Sequence, residues 1–385
     1  MIYADYNGSA PLLPAVKEYL KVRLESELFA NPNAIHSLGQ RVSKGIEKCR
    51  SIVADVMGCY PDQVIFNSGA SEGLSNIITS VLEFADVHKK IIITSPTEHV
   101  VLPAAFKFFT ERRGFEIKLV PIDSEGRVKV SDLEKLLKEN AGKIALVSIM
   151  AANNETGVIQ PYQEIAKLCT REKVDYLCDT TQLIGKGEFH FEKSGVDYAV
   201  CSGHKLGALT GSGFIIAKEP RKIHSMVYGS SQEAGLRGGT QNYIGVETLA
   251  VALKDFQSHQ TKLSELKVAR LAFEEKIKTQ FPQVQVIGDQ ADRLAGTSLI
   301  GYPGLHGQAV QIELESHDIF VTTSAACADN QPETSAVLRA MGIDDQLGRS
   351  VIRVSLSYSH GGKEYTTLAS ALAAAYNKLT KIHSF

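Results

Sequence analysis

Cysteine is scarce in this sequence. Six residues in 385 (Cys49, Cys59, Cys169, Cys178, Cys201 and Cys327) are too few for a disulfide scaffold, and none sits in a CxxC pair that would mark a structural zinc site. Most are expected to be small buried hydrophobes. An excess of positive charge is also lacking. With 41 Lys plus Arg against 43 Asp plus Glu, the net charge of −2 excludes a protein that grips nucleic acid through bulk charge. No apolar run approaches the roughly 18 residues of a membrane helix. Met1-Ile2-Tyr3-Ala4-Asp5 places a carboxylate where a signal peptide carries positive charge, so a cytoplasmic protein is expected. Internal repeats, low-complexity tracts and Pro/Ser-rich linkers are missing too. The hydrophobic content of 44% excludes wholesale disorder. A single core stops growing at about 250–300 residues, so the chain should fold as one large and one small unit.

Short apolar runs punctuate the first half: Val64–Phe66, Ile91–Thr94, Ile117–Pro121, Ala145–Met150, Val174–Cys178, Tyr198–Cys201 and Gly213–Ala217. Helical patterns begin between them near Glu72, Val100, Val130 and Pro161. The last reads as a helix from a first-turn proline to Lys173, with Ile165, Leu168 and Cys169 on its apolar stripe. Such alternation predicts an α/β fold with a buried, mostly parallel sheet. Ligands of such sheets sit beyond the carboxyl ends of the strands. After Gly245 a long helical stretch runs to about Gln280. Beyond Gly288 the pattern is that of a smaller α+β unit, with strands near Thr297–Ile300 and Val351–Leu356 and a final Ala-rich helix near Lys363–Leu379. The large unit is assigned to residues 15–255 and the small one to 1–14 and 256–385.

Four strand ends carry suggestive polar residues. Asn67-Ser68-Gly69-Ala70-Ser71-Glu72-Gly73 opens a helix, where small residues and free N–H groups can seat a phosphate. The plainer reading is a helix cap through Ser71. Asp179, with Gln182 nearby, is either a functional acid or an N-cap. Ser202-Gly203-His204-Lys205 offers a partly desolvated amine, a Schiff-base candidate, although a lone lysine is usually solvated surface. Asn153-Asn154-Glu155-Thr156-Gly157 alone reads as a turn. A phosphate seat, an acid for a pyridinium nitrogen and an amine for an imine are together the parts pyridoxal phosphate requires.

With those residues in place, the chain resembles the cysteine desulfurases of the NifS/IscS type, in the class V aminotransferase branch of fold-type I pyridoxal phosphate enzymes. Further shared stretches are Asn31-Pro32-Asn33-Ala34-Ile35-His36-Ser37-Leu38-Gly39, Glu98-His99, Leu236-Arg237-Gly238-Gly239-Thr240, Ala326-Cys327 and Val337-Leu338-Arg339-Ala340-Met341-Gly342. The resemblance implies a large domain with a mostly parallel seven-stranded sheet flanked by helices, plus a smaller α+β domain. It implies pyridoxal 5′-phosphate bound as an imine on Lys205, Asp179 on the pyridine nitrogen, His99 stacked on the ring and Gln182 on its phenolic oxygen. Ala70, Ser71, Ser202 and His204 would surround the phosphate, with Thr240 reaching it from the other subunit of a homodimer. Asn154 and Arg353 would face the substrate L-cysteine, Lys205 would move its Cα proton, and Cys327 would take its sulfur as a persulfide. No metal, direct nucleic-acid contact or membrane contact is implied.

Three places depart from the family pattern. Gly8-Ser9-Ala10 replaces small-Thr-Thr, Gly207-Ala208-Leu209-Thr210-Gly211 replaces Gly-Pro-Lys-Gly, and Thr323-Ser324-Ala325-Ala326-Cys327 lacks a glycine. Gly207-Ala208-Leu209 and the stretch from Gln232 to Tyr243 look more like desulfurases serving DNA phosphorothioation, with iron–sulfur or tRNA-thiolation supply as the other expectation. The acceptor is expected to be a protein. Rival readings at this stage are a selenocysteine lyase or aminotransferase that does not need Cys327, and a non-catalytic scaffold.

Overall fold

The computed structural model describes residues 1–26, 28–324 and 334–382. Cys327 therefore lies outside the described residues. The chain opens with strand β1 (Ile2–Tyr3). The apolar runs then become the seven strands of one sheet: β2 (Val64–Asn67), β3 (Ile91–Thr94), β4 (Glu116–Leu119), β5 (Ile144–Ser148), β6 (Tyr176–Asp179), β7 (Tyr198–Ser202) and β8 (Gly213–Ala217). Their spatial order is β2-β8-β7-β6-β5-β3-β4. All neighbours run parallel except β8, which is antiparallel to both β2 and β7.

Cores on both faces explain why these strands read as unbroken apolar runs. Ile65, Ile92, Leu146, Leu177, Val200 and Ile215 enter one core. Their neighbours Phe66, Ile93, Val147, Cys178, Cys201 and Ile216 enter the other, as the alternating pleat requires. Only the edge strand β4 is largely exposed.

The remaining strands are β9 (Gln285–Val286), β10 (Thr297–Gly301), β11 (Ile319–Phe320) and β12 (Val351–Ser355). Strands β12, β10 and β9 form an antiparallel sheet, and β1 pairs in parallel with β11. A separate core lies under them. It takes Ala4 from the amino-terminal segment, and Tyr365, Leu368, Leu372 and Tyr376 from one face of the last helix, Gly362–Ile382. Past β1 the chain bridges Asp5 to Ser355 on β12, then bonds Asn7 Nδ2 to Thr297 Oγ1 at 3.0 Å. That path delivers residues 5–8 to the carboxyl edge of the main sheet.

Several boundaries differ from the sequence reading. The long helical stretch read to about Gln280 is divided into two helices, Tyr243–His259 and Lys262–Gln280. The first sends Leu249, Leu253 and Phe256 into the main core and the second sends Leu266, Phe273 and Ile277 into the smaller one. A straight helix could not bury both sets, so it breaks between them. Pro161 stands at the N-cap of helix Tyr162–Glu172 instead of inside its first turn. Asp179 and Ser202 are the final residues of their strands instead of following them. Among the described residues, no helix is long and apolar enough to cross a membrane.

Candidate active site

At the carboxyl ends of β5, β6 and β7 lies a cavity of about 510 Å³. Its walls include Ala70, Ser71, His99, Asn154, Asp179 and Gln182, together with Ser202, His204, Lys205 and Arg353. The structure thus gathers every predicted site residue except two. Cys327 lies outside the described residues, and Thr240 is exposed on its own chain and does not line the cavity.

One end of the cavity is built by the turn leaving β2. Gly69 takes φ +147°, a conformation open to glycine, and its N–H bonds Asn67 Oδ1 at 3.0 Å. A side chain there would bring its Cβ to 3.0 Å from Ser202 Oγ. Helix Ala70–Glu83 starts at once, and no side chain caps it. The capping role considered for Ser71 is therefore unfilled, and the first-turn N–H groups stay available to an anion. Glu72 bonds away from that end, accepting from Ser68 N and Arg237 Nε at 3.0 and 2.9 Å. Burial would raise its pKa, but these bonds outweigh it and hold the carboxyl below its ordinary value.

Asp179 closes β6 on the adjacent side, its Oδ1 accepting from Thr181 N at 2.9 Å. The Thr181 hydroxyl is buried at the cavity wall with no partner among the described residues. Behind lies Glu98, both of whose oxygens accept from Met150 N (3.0 and 3.1 Å). Burial, with Asp179 adding to it and the Met150 N–H opposing it, pushes the Glu98 carboxyl well above its ordinary pKa. Burial also lowers the pKa of His99, with Asp179 opposing and Lys205 reinforcing. His204, paired with Ser9 Oγ at 3.1 Å, is pushed down to about 4 by burial and by the cations Lys205 and Lys186.

Lys205 sits one short turn beyond β7, where its Nζ donates to Asn7 O at 2.7 Å and to Gly8 O. Arg353, from β12, is 2% exposed; its Nη2 meets Asp5 Oδ1 at 2.6 Å and its Nη1 donates to Asn154 O at 2.9 Å. Its buried Nε has no partner among the described residues. Glu155 accepts from Ser335 Oγ at 2.6 Å, and burial lifts its pKa to about 7 although Ser335 and Arg353 oppose the shift. Asn7, Gly8, Glu155 and Lys186 were given no role from the sequence. Asn7 reaches Lys205 across 198 positions of chain, and no local pattern signals that contact.

The residues present fit pyridoxal 5′-phosphate. The uncapped helix end and the orphaned Thr181 hydroxyl offer donors, Asp179 an acceptor for a ring nitrogen, and Lys205 an amine, all on one cavity. Among the described residues no group of three His, Cys, Asp or Glu side chains could hold a metal ion.

Known proteins resemble the chain along most of its length. The family model "Aminotransferase class-V" matches residues 2–364. A cysteine desulfurase IscS of Dictyoglomus turgidum is 32% identical over 92% of this chain and 89% of its own length. The solved structure of a NifS-like protein superposes with a TM-score of 0.89 at 31% identity, covering 98% of this chain and all of its own. That of DndA from Streptomyces lividans does so with a TM-score of 0.72 at 26% identity, covering 89% of this chain and 94% of its own. A match from end to end in both sequence and structure places the chain in the class V aminotransferase family. Within that family its relatives include enzymes named for cysteine desulfuration, and its cofactor is pyridoxal phosphate.

Proposed function

We propose that this protein is a cysteine desulfurase, converting L-cysteine to L-alanine and capturing the sulfur as a persulfide on Cys327. The observation that carries the reading is the meeting of Lys205, Asp179 and the uncapped helix end in one cavity that Arg353 also lines. Pyridoxal phosphate, when bound, supplies the electron sink that lets a Cα–H bond of an amino acid ionise.

The protein's own groups divide the remaining work. Ala70 and Ser71, with Ser202 and His204, would hold the phosphate through N–H and hydroxyl donors, neutral His204 adding a donor without a competing charge. Asp179 would accept from the ring nitrogen. His99, on the same cavity wall, would face the cofactor. Arg353 orients the substrate carboxylate. Two of its donors are already fixed to Asp5 and Asn154, so the guanidinium is held rigid before substrate arrives. Lys205 Nζ takes the Cα proton and returns one to the product carbon. The Cys327 thiolate attacks the substrate sulfur; an S–S bond forms, the substrate C–S bond breaks, and its electron pair stays with the carbon skeleton, which is protonated to alanine. Enzyme thiol plus cysteine thus gives enzyme persulfide plus alanine, and no outside oxidant is needed.

The five described cysteines are poor rivals for this role. Burial raises the thiol pKa of Cys49 to about 11 and of Cys59 to about 12, and drives those of Cys169, Cys178 and Cys201 higher still. The sulfur then passes to an acceptor protein in the cytoplasm. The resemblance of Gly207-Ala208-Leu209 and of residues 232–243 to desulfurases serving DNA phosphorothioation supports that acceptor, with iron–sulfur or tRNA-thiolation supply as the alternative. Proteins co-purifying with the persulfide form decide between them.

Cys327→Ser tests the central step. The variant should keep its fold and its yellow colour, and borohydride should still trap the cofactor on Lys205. Alanine and sulfide release from L-cysteine with excess thiol reductant should fall to background, because a hydroxyl cannot hold a persulfide. Wild-type turnover in Cys327→Ser would replace the desulfurase by a lyase or aminotransferase that does not use this thiol.

A further inference from the structure

A second lysine stands beside Lys205. Lys186 follows β6 by seven positions, between Gly185 and Gly187, and its side chain turns inward. Its Nζ is ringed by three oxygens: Tyr6 O at 3.1 Å, Asn7 Oδ1 at 3.0 Å and Gln182 Oε1 at 2.6 Å. Three acceptors match the three N–H bonds of an ammonium. None of the three is a carboxylate, so the group is not there to neutralise an adjacent anion. Burial lowers its pKa well below the ordinary lysine value; the facing Lys205 and Arg353 add to that, and Asp5 and Cys201 oppose it.

The consequence falls on Gln182. A carboxamide can face either way in a site, and its two ends differ only in whether they donate or accept. Here a backbone oxygen decides, and it leaves the carboxamide oxygen facing Lys186 Nζ. Asn7 O can only accept, and Gln182 Nε2 donates to it at 3.0 Å. One Nε2–H remains, on a side chain that lines the cavity. Gln182 therefore offers the cavity a donor, which suits an anionic oxygen and repels a hydroxyl that must itself donate. Lys205 bonds Asn7 O as well, so the orientation of Gln182 and the resting place of the reactive amine share one anchor.

We propose that Lys186 is a positioning residue: by occupying Gln182 Oε1 and pinning Asn7 it fixes the Gln182 carboxamide as a hydrogen-bond donor to the phenolate oxygen of the bound cofactor. The inference rests on the pyridoxal phosphate reading but not on Cys327 or on desulfuration.

The test is an absorbance titration of the substrate-free holoenzyme, whose visible band changes as the Lys205–cofactor linkage loses its proton. A donor on the phenolate stabilises the deprotonated linkage, so losing it raises the midpoint. Lys186→Met should raise that midpoint by about half to one pH unit. Gln182→Ala should raise it similarly, and the double variant should show no more than the larger single effect. Lys186→Arg, which keeps charge and donors, should restore the wild-type midpoint. Thermal melts of the cofactor-free proteins confirm folding. Equal shifts that add in the double variant, or an unmoved midpoint in folded Lys186→Met, overturn the proposal. Should Lys186→Met fail to fold, a folded Lys186→Arg that shifts as far as Gln182→Ala overturns it equally. The titration uses neither substrate nor Cys327, so failure of the desulfurase reading leaves its outcome untouched.

Discussion

A carboxyl group held between Ser335 and Arg353 makes the site sensitive to pH at the scale of one residue. Glu155 is 6% exposed and its pKa rises from an ordinary 4.5 to about 7, chiefly through burial. A group whose folded pKa is raised binds more protons folded than unfolded, so its contribution is intact below about pH 4.5 and is lost as pH climbs through 7. Glu155→Gln keeps an oxygen for Ser335 and removes the charge. The variant should match wild type near pH 5 and be more stable at pH 8, by up to about 3 kcal/mol. Melting both proteins at the two pH values checks this, and an equal loss of stability between pH 5 and 8 in the two would remove Glu155 as its source. Residue chemistry was partly legible in advance. Asp179, Lys205 and Ala70-Ser71 announced themselves by following apolar strands, where α/β folds place their ligands. Lys186 did not, because a lysine between two glycines reads as surface, and only the fold brings Tyr6, Asn7 and Gln182 around its amine.

At the scale of elements, the turn between β2 and helix Ala70–Glu83 carries the phosphate end of the cavity. Gly69 is irreplaceable there for two reasons: φ +147° with ψ 178° is a region that side chains avoid, and a Cβ would press on Ser202 Oγ at 3.0 Å. Gly69→Ala should cost about 1–3 kcal/mol of stability. It should also weaken cofactor retention, since both Ser202 and the helix end would shift. Pyridoxal phosphate titration into the cofactor-free variant measures the second effect, and wild-type affinity would show that this helix end does not seat the phosphate. The elements themselves were legible where burial is two-sided, because continuous apolar runs such as Ile91–Thr94 can only be covered strands or helix cores. Boundaries were less so. The break at Gln260 and Thr261 has no glycine or proline to mark it; it follows from two cores drawing on one helical stretch, which only tertiary packing reveals.

For the whole molecule, the site is expected to be complete only in a homodimer. Thr240, matched by resemblance to a phosphate ligand from the neighbouring subunit, is exposed on its own chain and absent from its own cavity wall. Yet the segment that bears it is held firmly. Glu233 and Ala234 take left-handed φ of 48° and 54°, a strain of order 1–3 kcal/mol each. The buried Glu233 carboxylate anchors them, accepting from Arg50 Nη1 and Nη2 (2.7 and 2.8 Å), Phe66 N (2.8 Å) and Gln241 Nε2 (3.1 Å). Strain offset by a buried ion pair fits a segment that must present Thr240 in one fixed place. Large apolar side chains stand exposed in the single chain at Ile35 (92%) and Tyr228 (89%), surface that a second copy would cover. Thr240→Ala should leave the dimer and its fold intact but weaken pyridoxal phosphate binding about ten- to a hundredfold, the loss of one hydrogen bond to a charged group. Sedimentation gives the assembly state, and dialysis against cofactor-free buffer gives the retention. Wild-type retention in Thr240→Ala, or a monomer that holds its cofactor and turns over cysteine fully at high dilution, would place both sites within single chains and leave the anchored segment without this role.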